Sequence, residues 1–205
     1  MTIHFCSDTH FGHSNIIRYC NRPFWHKGLT AEGVFTSIPD VNTMNDTMKA
    51  NWNSVVHPQD TIYFLGDFAF ADQAKVRELL QELNGNLYLC RGNHDKPLNN
   101  FHNFFSDVFD LKTIKVEDTD GKDGKYQHIA LCHYPLHSWD KQFHGSWHLH
   151  GHCHGKVPFD PKLKRLDVGV DNHNFTPISY EQVKTIFATG QLKSSPLEFE
   201  PLIYE

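Results

Sequence analysis

Four histidines stand at every second position in WHLHGHCHG, residues 147–155: His148, His150, His152 and His154. On an extended chain that period places all four on one face. A row of imidazoles makes a poor core, because each ring nitrogen must find a partner once it leaves water. It makes a good ligand set, since neutral imidazole is the commonest side-chain metal ligand. Groups of the same kind recur along the chain: Asp8 and His10 in SDTHFGH, Asp67 in GDF, Asn93, His94 and Asp95 in GNHD, and His133 after IALC. Any one of them is an ordinary turn more often than a site. Five in order, each closing a short apolar run, point to metal chemistry, as does the total of 16 histidines in 205 residues.

Such groups act together only if the fold brings them together. TIHFCS (2–7), TIYFLG (61–66), LYLCRG (87–92), HIALCH (128–133) and SWHLHG (146–151) read as short buried strands ending in polar or glycine-bearing turns. A helix is predicted after the cap Asp40, with Val41, Met44, Met48, Trp52 and Val55 on one stripe. Val76, Leu79, Leu80 and Leu83 form a second stripe that stops at Asn84-Gly85, and Tyr180, Val183, Ile186 and Phe187 a third, closed by Gly190. Residues 117–127, EDTDGKDGKYQ, read as a hairpin turn or mobile loop. Strands alternating with helices predict an α/β layered fold containing a mixed sheet, in which sites assemble where the C-terminal ends of strands meet. The length suits one domain, 1–205.

Composition narrows the function. With 39% hydrophobic and 21% charged residues the chain is globular, and a net charge of −5 without a basic stripe disfavours a large nucleic-acid footprint. Cys6, Cys20, Cys90, Cys132 and Cys153 are odd in number and never spaced CxxC, so neither a disulfide framework nor a zinc finger is expected. The opening residues carry no signal-peptide pattern, and no apolar run reaches the length of about 18 residues that spans a membrane. A reducing, cytoplasmic setting without membrane or disulfide-linked partners follows as the expectation.

The order D-x-H, G-D, G-N-H-D, H, G-H-x-H, running from Asp8 to His154, resembles the calcineurin-like metallophosphoesterases, and the opening HFCSDTHFGHSNIIRYCNRPF resembles a compact bacterial and phage branch of them. The resemblance implies a four-layer αββα sandwich, two mixed β-sheets face to face with helices outside. It implies two divalent ions about 3.5–4 Å apart. One would take Asp8, His10, bridging Asp67 and His154, the other Asp67, Asn93, His133 and His152. An oxygen and nitrogen ligand set without thiolate suits Mn²⁺ first, with Fe²⁺, Zn²⁺ or Ni²⁺ as alternatives.

The implied activity is hydrolysis of phosphodiester or phosphomonoester bonds, of nucleotides or nucleic-acid ends, by a metal-bridging hydroxide. His94 would protonate the leaving oxygen and Asp95 would orient His94. Phe70 stands where purple acid phosphatases carry a tyrosine ligand, so an Fe(III)–tyrosinate site is excluded, and GDFAFAD with GNHD departs from the phosphoprotein phosphatase pattern, so protein phosphatase activity is disfavoured. A scaffold that keeps the fold without catalysis is the rival, weakened because every motif position is filled. His150 is expected beside the ligands or facing substrate, and His148 as a plain hydrogen-bonded strand residue. His13, Arg18, Asn21 and Arg22 follow the first ligand loop, and an arginine there could fork onto a phosphate. His4, His26, His57 and His102 read as surface histidines, and Cys6 and Cys132 as buried. Loops 20–40 and 134–145 are the segments long enough to cover the site.

Overall fold

The structure, a computed structural model, describes residues 1–29, 33–121 and 124–192. Its first sheet has β1 (Ile3–Cys6), β4 (Thr61–Phe64), β5 (Asn86–Cys90) and β6 (Asp107–Phe109) side by side and parallel. The two-residue β11 (Ile178–Ser179) pairs antiparallel on the free edge of β1. The second sheet runs β10 (Arg165–Asp167), β9 (Trp147–His150), β8 (Tyr126–Cys132), β7 (Leu111–Glu117), the first three parallel and β7 antiparallel. Parallel neighbours end at the same edge of a sheet. The turns after β1, β4 and β5, which carry Asp8, Asp67 and Asn93, therefore emerge together, as do those after β8, β9 and β10. An isolated parallel bridge between Ser7 and Gly169 joins the two edges.

Two apolar cores hold this arrangement. One face of the first sheet, with Cys6, Ile62, Phe64, Leu87 and Leu89, packs on α1 (Ser14–Tyr19), α2 (Val41–Val55) and α3 (Gln73–Glu82). The opposite face, with Phe5, Leu65 and Cys90, packs on Ile114, Val116, Ile129, Leu131 and Leu149 of the second sheet, and α4 (Tyr180–Thr189) adds Val183, Ile186 and Phe187 to that core. Period-two alternation makes this possible: Phe5 and Cys6, adjacent in sequence, face different cores.

The predicted helices stand where their stripes and caps placed them. Asp40 accepts from the Thr43 N–H at 2.9 Å and Asp72 from the Lys75 N–H at 2.9 Å. Ser179 and Gln182 form a capping box, and Gly190 ends α4 with a left-handed φ of +69°. The mixed α/β architecture agrees with the sequence reading. Residues 117–127 form a hairpin, β7 and β8 pairing as far as Glu117 with Tyr126; residues 122–123 within it lie outside the described set. Within the expected loop 20–40, β2 (Trp25–Leu29) and β3 (Phe35–Pro39) pair antiparallel, and residues 30–32 between them are likewise outside it. Among the described residues no helix is long and apolar enough to cross a membrane.

Candidate metal centre

The turns that leave the strands are bent in an unusual way. Asp8, His10, Asp67, His152 and His154 have φ of +59°, +49°, +60°, +69° and +47°. Left-handed backbone is uncommon for residues with a Cβ, and it persists where the surroundings enforce it. Here the two ligand turns of the first sheet brace each other: Asp8 N–H donates to Gly66 O at 2.9 Å and His10 N–H to Asp67 O at 3.0 Å. Close approach also demands glycine. A Cβ on Gly151 would lie 2.0 Å from Ser7 Oγ and 2.2 Å from Asp8 Oδ2, and one on Gly92 would lie 2.3 Å from Asp67 Oδ1.

The side chains so delivered form two groups. Asp8, His10 and His154 offer donor atoms all within 4.8 Å of one another, and so do Asp67, His133 and His152. Asp67 Oδ2 stands 3.6 Å from His10 Nε2 and 3.6 Å from His133 Nε2, so one oxygen faces both groups. His10 Nε2 and His154 Nε2 each lie 3.8 Å from Asp8 Oδ1. Asn93 Oδ1 is 3.1 Å from His133 Nε2. Most of these separations are long for hydrogen bonds, but two ligands about 2.1 Å from a shared ion stand about 3–4 Å apart. The sharpest test of fit is His10: both ring nitrogens are buried and without a hydrogen-bond partner. A buried unpaired imidazole is destabilising unless something else takes its lone pair. A divalent cation fits that role, and the donors available are those that Mn²⁺, Fe²⁺ or Zn²⁺ accept.

Burial sets the charge balance. It pushes the Asp8 carboxyl up to about 8 and the His10 imidazole down to about 2. Burial also opposes a charged His154, yet hydrogen bonds with Asp171 and Cys20, with the charges of Asp8 and Asp171, lift it to about 10. A cation among these groups would favour the ionised carboxylate and the neutral imidazole together.

Partners outside the two groups orient the ligands. His133 Nδ1 is 2.7 Å from Leu65 O, which leaves Nε2 toward Asp67. His154 Nδ1 is 2.7 Å from Asp171 Oδ2, which leaves Nε2 toward Asp8. Asp171 is gripped in turn by Arg22, Nε to Oδ1 at 2.7 Å and Nη2 to Oδ2 at 2.9 Å. Arg22 also donates to Thr9 O at 2.9 Å and Asp8 O at 2.8 Å, and is 1% exposed. The backbone N–H groups of His152 and His94 donate to Asp8 and Asp67. Asp171 escaped the sequence reading, although it follows β10 by the rule that found the others: LDVGVD is one more apolar run with an acid after it.

The remaining expected residues take varied places. His94 is exposed, its ring edge-on to His10 at 5.8 Å. Asp95 does not sit against that ring as an orienting group. Its buried carboxylate accepts from the N–H groups of Gly92 (2.7 Å), Asp67 (2.8 Å) and Phe68 (2.9 Å), stapling the turn after β5 to the turn after β4. Three backbone donors thus take up the carboxylate expected to face His94. His150 is buried outside both groups, with Nδ1 2.9 Å from Gly151 O, at the turn that carries His152. His148 is hydrogen-bonded in the strand, accepting from Leu136 N–H at 3.0 Å. His13 is half-buried and stacks on Phe70 at 4.2 Å. Arg18 lies exposed over the Trp25 ring at 5.4 Å, and Asn21 turns the chain with φ of +49°. Arg22, spent on Asp171, is not positioned to fork onto a substrate. His26, His57 and His102 are exposed, but His4 is buried 3.6 Å from Asp60, because its strand is central and both faces are covered. Cys6 and Cys132 are buried as expected.

The family model described as calcineurin-like phosphoesterase matches residues 1–169. An uncharacterized protein of Methanocaldococcus jannaschii is 36% identical over 197 residues, covering 93% of both chains. The gene 66 protein of Mycobacterium phage L5 is 25% identical over 193 residues, covering 82% of this chain and 85% of its own. The crystal structure of a protein of unknown function from Aquifex aeolicus has the same fold, with a TM-score of 0.60 and 23% identity over 90% of this chain and 98% of that one.

Proposed function

The chain belongs to the calcineurin-like phosphoesterase family, and from that premise we propose that it is a binuclear hydrolase acting on phosphodiester or phosphomonoester bonds of nucleotides or nucleic-acid ends. The observation that carries the reading is Asp67 Oδ2, equidistant at 3.6 Å from an imidazole of each ligand group. In this reading Asp8, His10, Asp67 and His154 hold one divalent ion and Asp67, Asn93, His133 and His152 the other, with Mn²⁺ the first choice and Fe²⁺, Zn²⁺ or Ni²⁺ as alternatives. Such a pair would supply Lewis acidity for the phosphoryl oxygens and a water acidified enough to attack at neutral pH.

The chain's own residues do the rest. Asp8 and Asp67 offset the positive charge while backbone N–H groups fix their rotamers. His94, whose N–H donates to Asp67 and whose exposed ring lies beside His10 and Phe70, is the proposed proton donor to the leaving oxygen. His150 supports the turn that carries His152. The domain is taken to span 1–205, although 193–205 lie outside the described residues. Five unpaired cysteines agree with a reducing, cytoplasmic setting.

Reconstitution with Mn²⁺, metal analysis, and a screen of mono- and diester panels with cyclic nucleotides and short oligonucleotides tests the reading. Two ions per chain and turnover of at least one ester class are expected. At most one ion, or no turnover of any ester at full occupancy, overturns it.

A further inference from the structure

Two aromatic side chains are exposed where they touch the ligand histidines. Phe70 is 38% and Tyr134 43% exposed. Single exposed rings are ordinary on a protein surface, but these two lie against the candidate ligands, where an open aromatic face offers a planar group a surface to stack on. The two stand beside different ligand groups. Phe70 lies 5.6 Å from His10 and 4.7 Å from His94, with His13 stacked on it at 4.2 Å, so these four rings form one shelf. Tyr134 lies 4.9 Å from both His133 and His152. Phe70 is held by its N–H, which donates to Phe11 O at 2.8 Å. Beyond Tyr134 opens a cavity of about 530 Å³ with Arg91 and Lys96 on its wall. Arg91 is taken up by Asp110 at 2.7 and 2.8 Å, while Lys96 is exposed.

One ligand group thus has Phe70 beside it and the other has Tyr134, and in the proposed reading the phosphorus atom lies between the groups. A monoester has one organic arm and would use one surface; a diester has two. We propose that the Phe70 shelf and Tyr134 are platforms for the two arms of a phosphodiester whose arms carry planar bases, a dinucleotide unit or strand end, with Lys96 meeting the next phosphate of the arm that passes Tyr134. Base–aromatic stacking tolerates any sequence, since every base has a π-face, and this agrees with a protein that lacks a basic stripe for duplex recognition. The inference rests on the phosphoesterase reading above and specifies its substrate.

The test uses the full-length Mn²⁺-loaded protein and two competitive inhibitors of bis-p-nitrophenyl phosphate hydrolysis: a dinucleoside phosphorothioate, which offers two bases, and dimethyl phosphorothioate, which offers none. The wild type should bind the dinucleoside compound far more tightly. Phe70→Leu and Tyr134→Leu should each weaken that binding about 5–100-fold, the range of one stacked base. Neither should change inhibition by the dimethyl compound or the count of two metals, and Tyr134→Phe should retain wild-type binding. Equal affinity of the wild type for both inhibitors, equal weakening of both by the variants, or an effect confined to one of the two rings overturns the proposal. A wild type that binds no second metal or turns over no ester would instead sink the underlying reading.

Discussion

His154 and Asp171 are joined through a single proton: Nδ1 of the one is 2.7 Å from Oδ2 of the other, and Nε2 is thereby turned toward Asp8. A carboxylate behind a ligating imidazole fixes its tautomer and strengthens its donor nitrogen. Asp171→Asn should therefore weaken binding of the ion proposed at Asp8 and His10 by about 10–100-fold and leave the proposed second ion near its original affinity. Stepwise Mn²⁺ titration followed by calorimetry or EPR reads both constants. Equal loss at both ions would mean that the substitution acts through the fold.

Asp67 answers to both groups at once. Asp67→Asn removes the carboxylate whose Oδ2 lies 3.6 Å from both His10 and His133. Turnover should vanish and both metals should bind more weakly. A variant that keeps two tightly bound ions would show that the bridge lies elsewhere.

The proton-donor role proposed for His94 predicts a dependence on the leaving group. An alkoxide needs a proton in the transition state, whereas a nitrophenolate hardly does. His94→Gln should cut hydrolysis of nucleotide diesters by about 10²–10⁴-fold and that of bis-p-nitrophenyl phosphate far less. Parallel kinetics with metal content measured decide the point; equal losses would leave His94 with positioning or charge stabilisation only.

Asp95→Ala tests the staple. It leaves the N–H groups of Gly92, Asp67 and Phe68 without their acceptor, and a buried unsatisfied donor costs about 1–3 kcal/mol. Urea unfolding should show a loss of several kcal/mol. Unchanged stability combined with a defect confined to poor leaving groups would restore Asp95 as the orienting partner of His94.

Acid stability should depend on His148. Burial, backed by the charges of His150 and Arg165, holds its pKa down at about 4, against 6.5 when unfolded. The unfolded chain thus binds more protons between these values. The stability this histidine contributes is complete above pH 6.5 and lost as pH falls toward 4, about 3 kcal/mol in all. His148→Asn should flatten that limb of the stability–pH curve relative to wild type; parallel curves would rule His148 out.

Much of this was legible before any coordinates. The helices at 41–55, 73–82 and 180–189 announced themselves by apolar stripes and caps, and the strands that carry ligands by apolar runs ending in polar turns. Among the described elements, α1, β2, β3 and the seven-residue β7 went unassigned, and so did β6, β10 and β11, of two or three residues each and too short for alternation to register. Asp171 was passed over although an apolar run precedes it, and Arg22 was noted but expected to face substrate. Their roles come from a contact across 149 positions in sequence, and nothing local distinguishes an arginine aimed at a buried carboxylate from one on a solvated face. Asp95 was found but misjudged, because neighbourhood in sequence to His94 stood in for a geometry in which backbone donors claim it.

The left-handed backbone at Asp8, His10, Asp67, His152 and His154 restricts how this centre can change its metal. Aspartate, asparagine and histidine are the side chains enriched in that conformation, and they are also hard or borderline donors. Cysteine, the ligand that would recruit softer ions, lacks their tolerance for it. A drift toward a thiolate site by single substitutions would thus meet resistance from the main chain at five positions before any question of affinity arose, so the turns themselves conserve the chemistry of the ion.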